Sequence, residues 1–172
     1  GCQDYRIVFG GVIGRAENRA MCRYLRLKTE QVSSSCFSGK YGIAIVDTQP
    51  GTGNNLLPEG FTPHIIIDHH PEKAEFEDVP FADVRPKYGA VSTLMCQYLQ
   101  KGEMTPPPLL ATALMYGIKT DTMNLSRGVT KSDLEAYHWL HSLADAQLLA
   151  KIEFARQPPV YYSNLLQAIV NA

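Results

Sequence analysis

Three consecutive isoleucines run directly into an aspartate and two histidines in the stretch HIIIDHH, residues 64–70. A short continuous apolar run is typical of a strand buried on both faces, as strands are in parallel sheets. Asp68, His69 and His70 can all bind a metal ion, and burying them without partners would be unfavourable by several kcal/mol. The stretch therefore predicts a core strand whose carboxyl end carries functional side chains.

The rest of the chain alternates strand-like and helix-like segments, which favours an α/β fold with a parallel sheet flanked by helices. Strands are predicted at residues 5–11, 41–47 and 64–68, and helices at residues 15–27, 89–102, 106–121, 130–140 and 146–154. Thr130 and Asp133 form a predicted capping box, and Asp145 is the predicted cap of the next helix. We therefore expect a three-layer α/β core.

The charge balance excludes a basic surface as a general property of this chain. Its 16 Lys and Arg residues nearly match its 17 Asp and Glu residues, and 45% of its 172 residues are hydrophobic, enough for a sizeable core. Any contact with nucleic acid must therefore be local. No apolar run approaches the roughly 20 residues of a membrane span, and no signal peptide is visible, so we expect a cytoplasmic protein without a membrane partner.

Two further carboxylates can join the polar group after the isoleucines. Asp47 closes the predicted strand at 41–47, and Asp121 follows an apolar helix. Ligands of open parallel sheets bind outside the carboxyl ends of the strands, so Asp47 and Asp68 would converge if their strands are neighbours. Clustered carboxylates with a histidine suit Mn²⁺ or Mg²⁺, and two such ions could clamp both oxygens of a phosphoryl displacement. Taken singly, Asp47 or Asp121 would more often be a turn or cap residue.

Several segments resemble the motifs of the DHH phosphoesterase superfamily in order and spacing. These segments are IIIDHHP, VDTQPGTGNN, YGAVST, YGIKTDT and NLSRGVT. The resemblance implies a metal-dependent phosphoesterase that cleaves phosphodiester bonds of short single-stranded oligonucleotides or cyclic dinucleotides, with a metal-bound hydroxide as the attacking group. An inorganic pyrophosphatase of the same superfamily, or a non-catalytic module that binds nucleotide or phosphate, are the alternatives.

The resemblance also implies a metal centre. Asp47 would bridge two Mn²⁺ or Mg²⁺ ions, with His69 and Asp121 as further ligands. His70 would face the phosphate as a catalytic and substrate-binding residue. Asp68 would support catalysis by orienting His69, or would approach the metal itself.

Two more residues would contact substrate if the resemblance holds. Arg127 would hold a phosphate by a two-pronged hydrogen bond, with a solvated surface charge as the alternative. Asn54, in the glycine-rich loop after Asp47, would order water, metal or substrate, and a plain turn is equally compatible with it.

The chain departs from the family pattern at both ends. No acidic D-x-D cluster precedes the first predicted strand, and no glycine- and histidine-rich stretch occurs before residue 172. We therefore expect residues 1–157 to be a DHH core that lacks its first strand and helix, and residues 158–172 to be a linker or helix leading toward a missing second domain. One of the two metal sites would then be incomplete, so we expect weak activity or none. The sheet edge left by a missing strand would favour a homodimer.

Overall fold

A computed structural model of the chain describes residues 4–72 and 76–171, and five short strands and six α-helices lie within them. The strands are β1 (Ile7–Phe9), β2 (Thr29–Gln31), β3 (Ala44–Val46), β4 (Ile65–Asp68) and β5 (Phe81–Val84). The helices are α1 (Ala16–Tyr24), α2 (Val91–Lys101), α3 (Pro108–Asp121), α4 (Lys131–His141), α5 (Ala146–Glu153) and α6 (Pro159–Val170), with a 3₁₀ turn at Ser34–Phe37. In the described ranges, no helix combines the length and apolar character needed to cross a bilayer.

All strand pairs in this part of the chain are parallel, and helices flank the sheets, which confirms the predicted α/β fold. β1 pairs with β2, while β3, β4 and β5 form a separate sheet in that order. Helix α1 is the crossover that a parallel β1–β2 pair requires. Two strands and a helix thus precede the strand that leads to Asp47, and the loss of an earlier strand stays a prediction.

Strand β4 is buried less evenly than its isoleucines predict. Ile66 is fully buried, whereas Ile65 is 37% exposed and Ile67 is half-buried. Successive side chains of a strand point to opposite faces, so one face packs into the core while the other is only partly covered. The prediction that this strand is buried on both faces was therefore wrong.

The main core lies where α2, α3, α4 and α5 pack together. Its fully buried side chains include Cys96, Ile118, Leu140 and Ile152. The capping box of Thr130 and Asp133 is confirmed at the start of α4, and Asp145 caps α5 by accepting a hydrogen bond from the Leu148 amide at 2.9 Å. This packing holds α3 in place and so fixes the position of its last residue, Asp121.

Candidate metal and phosphate site

The pairing of β3 with β4 brings the predicted polar groups to one edge of the sheet. Val46 pairs with Ile67, and the Asp47 amide donates a hydrogen bond to the Ile67 carbonyl at 2.9 Å. Asp47 therefore ends its strand beside Asp68 and His69, as neighbouring parallel strands predict. Its φ of 64° lies in the left-handed region, which is uncommon outside glycine and is often found at functional sites.

Asp47, His69 and His70 form a compact cluster of potential metal ligands. Each offers one ligand atom, and these atoms all lie within 4.8 Å of one another. His69 Nε2 is 3.3 Å from Asp47 Oδ1, and His70 Nδ1 is 3.9 Å from the same oxygen. Among residues 4–72 and 76–171 this is the one group of three or more such side chains. Two of the three predicted ligands, Asp47 and His69, therefore lie in contact.

The His69 ring is oriented by its other nitrogen. Nδ1 lies 3.1 Å from the Tyr88 carbonyl oxygen, which can only accept a hydrogen bond, so Nδ1 carries a hydrogen. Nε2 therefore faces Asp47. The pKa of His69 is raised to about 9, chiefly by the hydrogen bond to Asp47, with smaller contributions from the Tyr88 carbonyl and the charges of Asp47 and Asp121, and against the opposing effect of burial. When no cation is bound, a proton thus lies between Nε2 and the Asp47 carboxylate at neutral pH.

Asp68 contacts the ring of His70 and only the backbone of His69. Its Oδ1 lies 2.8 Å from His70 Nδ1 and accepts a hydrogen bond from the His69 amide, also at 2.8 Å. Burial favours a higher pKa for Asp68, but hydrogen bonds from His70, Gln49 and the His69 amide outweigh it and lower the pKa. Asp68 is therefore a buried, ionised carboxylate that fixes the ring of His70.

Gln49 is a member of this site that the sequence analysis missed. Its side chain is fully buried and donates to Asp68 Oδ2 at 2.6 Å and to the carbonyls of His70 and Pro71 at 3.2 Å each. Gln49 lies two residues after Asp47, and in an extended chain residues two apart point to the same face. This spacing of polar residues at the end of a strand could have identified Gln49 from the sequence. The amide of Gln49 thus connects the loop after β3 to the segment after β4.

Asp121 lies near the cluster but outside it. It is the last residue of α3, is half-buried, and interacts electrostatically with Asp47, His69 and His70. Burial raises the pKa of Asp121 and the charge of Asp47 adds to the rise, while the two histidines oppose it. Residues 123–125 then have φ values of 47°, 56° and 63°, so the chain leaves the helix through consecutive left-handed residues. Such backbone is strained and is often kept for function.

The two predicted substrate contacts have different positions. Asn54 and His70 both line a cavity of about 230 Å³ next to Asp68. The Asn54 side-chain oxygen accepts hydrogen bonds from the hydroxyls of Thr48 and Thr52, so it also stabilises its own loop. The Arg127 side chain is exposed, and within the described residues its guanidinium forms no ion pair. The structure thus brings Asn54 to His70 and leaves Arg127 free in solvent.

Comparison with known proteins gives a relative of unassigned function. No protein-family model matches the chain. The chain is similar to an uncharacterized protein of Methanocaldococcus jannaschii, with 36% identity over 168 residues. The match covers 98% of this chain and 34% of the relative, so the chain spans about a third of the length of the curated relative it matches.

Proposed function

We propose that this chain is the core of a metal-dependent phosphoesterase of the DHH type, acting on phosphodiester bonds of short oligonucleotides or cyclic dinucleotides. The observation that carries the proposal is the 3.3 Å contact between His69 Nε2 and Asp47 Oδ1. Because His69 Nδ1 already carries a hydrogen, two lone pairs face each other at this contact unless a proton or a cation lies between them. A divalent cation would satisfy both.

The donor set fits a hard divalent cation. A carboxylate and an imidazole, with a second carboxylate nearby and no cysteine in the cluster, suit Mn²⁺, with Mg²⁺ as the alternative. Adjacent ligands of an octahedral ion with bonds of about 2.1 Å lie roughly 3 Å apart, close to the observed 3.3 Å between His69 and Asp47. Asp47 and His69 would hold the ion, and Asp121 would add negative charge. Such an ion supplies positive charge to a phosphate and acidifies water.

His70 is better placed to move a proton than to bind the metal. The His70 nitrogen nearest Asp47 is Nδ1, and its hydrogen is directed to the Asp68 carboxylate at 2.8 Å, so no lone pair is free there. Nε2 remains, on a side chain that is 52% exposed and borders the 230 Å³ cavity. From this position, His70 Nε2 would donate a proton to the oxygen that leaves the phosphorus.

A metal titration with a matched control tests this assignment. We expect wild type to bind Mn²⁺ in calorimetry and Asp47→Asn to lose at least about tenfold in affinity, since the loss of even an outer-shell partner typically has an effect of that size. Asp78→Asn, a change at an exposed carboxylate, serves as the control. Equal Mn²⁺ affinity in wild type and Asp47→Asn would contradict the assignment.

A non-catalytic phosphate-binding module is the second candidate. This candidate is favoured because the described residues contain one cluster of potential metal ligands, whereas a phosphoryl displacement that uses two metal ions needs ligands for both ions. Turnover separates the candidates: the proposed enzyme releases product from a short oligonucleotide with Mn²⁺, and His70→Gln reduces the rate while retaining Mn²⁺ binding. Turnover of pyrophosphate alone would instead identify a pyrophosphatase.

A further inference from the structure

A groove between α1 and α5 concentrates positive charge that no carboxylate neutralises. The groove is a cavity of about 550 Å³ whose charged lining residues, in the described part of the chain, are all cationic: Arg19, Arg23, Lys151 and Arg156. All four side chains are exposed. Some exposed cations elsewhere are paired, as in Arg6 with Glu30 at 3.5 Å and Lys131 with Glu135 at 3.4 Å. Among the described residues, none of the four groove cations forms an ion pair.

The groove charge comes from packing and not from composition. The formal net charge of the chain is −1, and the cations converge because Ala16 and Ala20 are buried and let α1 approach α5 closely. Like charges held together repel one another, so the arrangement favours an anionic partner. Four cations in one groove suit a ligand with several negative charges, such as a phosphodiester backbone.

Aromatic rings accompany these cations. Phe154, at the end of α5, lines the groove and is 82% exposed. The Arg23 guanidinium lies over the Tyr24 ring, 4.7 Å from its centroid. Exposed aromatic rings beside cations are the combination that binds single-stranded nucleic acid, because bases stack on the rings while phosphates contact the cations. An acidic peptide would use the cations but would not require Phe154.

A second cavity, of about 730 Å³, shares Phe154 with the groove and extends to the end of α3. Its lining includes Arg15, Thr120 and Asn124, and also the carboxylates Glu17 and Glu153, of which Glu153 is paired with Lys119 at 2.5 Å. Thr120 and Asn124 lie on either side of Asp121 in the chain, where α3 ends near Asp47 and His69. A strand with one phosphate at the metal site could therefore pass over Phe154 into the basic groove.

We propose that the α1–α5 groove binds the phosphate backbone of a single-stranded oligonucleotide, with Phe154 stacking on a base. This selects the oligonucleotide over the cyclic dinucleotide as the substrate class, and in that respect it rests on the proposed phosphoesterase function. The binding itself requires no metal, so it can be tested separately.

Fluorescence anisotropy with a labelled single-stranded oligonucleotide, in EDTA and low salt, measures the binding. We expect Arg23→Ala/Lys151→Ala to weaken binding at least tenfold, and Phe154→Leu to weaken it roughly fivefold or more. The matched control is Lys87→Ala/Lys131→Ala, which removes two exposed lysines elsewhere. If all four groove cations contact phosphates, the slope of log affinity against log salt should be about −3 in wild type and about half that in the double variant.

Several outcomes would overturn the groove assignment. These are absence of binding in low salt, equal loss in the groove and control variants, or equal competition by polyglutamate combined with no effect of Phe154→Leu. Circular dichroism of each variant confirms that it is folded. Parallel titrations with DNA and RNA of the same sequence show which sugar the groove accepts, and binding to either supports the proposal.

A failure of the groove assignment can be distinguished from a failure of the proposed phosphoesterase function. Asp47→Asn should retain oligonucleotide binding in EDTA, because its change lies outside the groove. Groove-dependent binding without turnover in Mn²⁺ would support the groove and count against catalysis. If turnover occurs, the groove variants should raise KM for an oligonucleotide long enough to reach both the groove and the metal site.

Discussion

Replacing Gln49 by leucine should destabilise the protein through one buried carboxylate. Gln49 Nε2 donates to Asp68 Oδ2 at 2.6 Å, and both side chains are fully buried. Leucine is similar in size, so the change removes the donor with little loss of volume. Asp68 Oδ2 would lose its Gln49 donor while Oδ1 keeps His70 and the His69 amide.

The expected loss in the free energy of unfolding is about 3 kcal/mol. A hydrogen bond to a charged group contributes about 1.5–3 kcal/mol, and a buried acceptor without a donor adds a desolvation penalty. The longer 3.2 Å contacts of Gln49 with the carbonyls of His70 and Pro71 contribute less. For a chain of this size, about 3 kcal/mol corresponds to a fall in Tm of roughly 6–12 °C.

Urea unfolding at about pH 6 in EDTA measures the effect, with Gln100→Leu as an exposed control. A double-mutant cycle with Asp68→Asn isolates the pair, and Gln49→Leu should be at least about 1 kcal/mol less destabilising in that background. The pH dependence gives an independent check. Because the folded pKa of Asp68 is lowered, its stabilisation is present above the unfolded value and is lost as pH falls through the folded pKa. The difference between wild type and Gln49→Leu should therefore shrink on acidification.

A loss below about 0.5 kcal/mol, the range of ordinary surface changes, would refute this reasoning. Additive effects in the cycle would refute it as well, because they would show that the stability of Asp68 does not depend on Gln49. In either case the side-chain amide of Gln49 would contribute little to the stability of the protein.

Three further predictions concern pH and local packing. In EDTA, the stability advantage of wild type over His69→Gln should be complete below pH 6.5, the unfolded pKa of His69, and should be lost as pH rises through the raised folded pKa of about 9. Urea unfolding at several pH values measures this difference. Parallel curves of unfolding free energy against pH for the two proteins would contradict the prediction. Leu140→Ala should lower the free energy of unfolding by about 2–5 kcal/mol, because Leu140 is fully buried, whereas Leu134→Ala on the same helix, at a 49% exposed side chain, should have little effect. Thr130→Val should lower it by about 1 kcal/mol by removing the α4 cap, and an unchanged Tm would show that the cap is dispensable.

Local patterns were sufficient for much of the fold. The strands ending at Asp47 and Asp68, the apolar helix ending at Asp121 and the caps of α4 and α5 depend on residues close in sequence, and all are present. Strands β2 and β5 were not predicted. Their sequences, TEQ and FADV, are short and partly polar, and they become strands through pairing with β1 and β4.

The meeting of Asp47 with His69 was predictable because parallel strands end at a common sheet edge. The sequence did not predict which carboxylate would contact which histidine. Asp68 fixes the ring of His70, and Gln49 lies behind it, because the β3–β4 register and the loop after β3 decide which side chains are buried together.

The sequence by itself determined the chemistry available, namely carboxylates and imidazoles at strand ends and a nearly neutral overall charge. Only the tertiary structure decided where charge accumulates. Arg19 and Arg23 are separated by well over 100 residues from Lys151 and Arg156 and share a groove only because α1 packs on α5. Electrostatic interactions depend on the distance between charges in space, and the separation of two residues along the sequence does not reveal that distance.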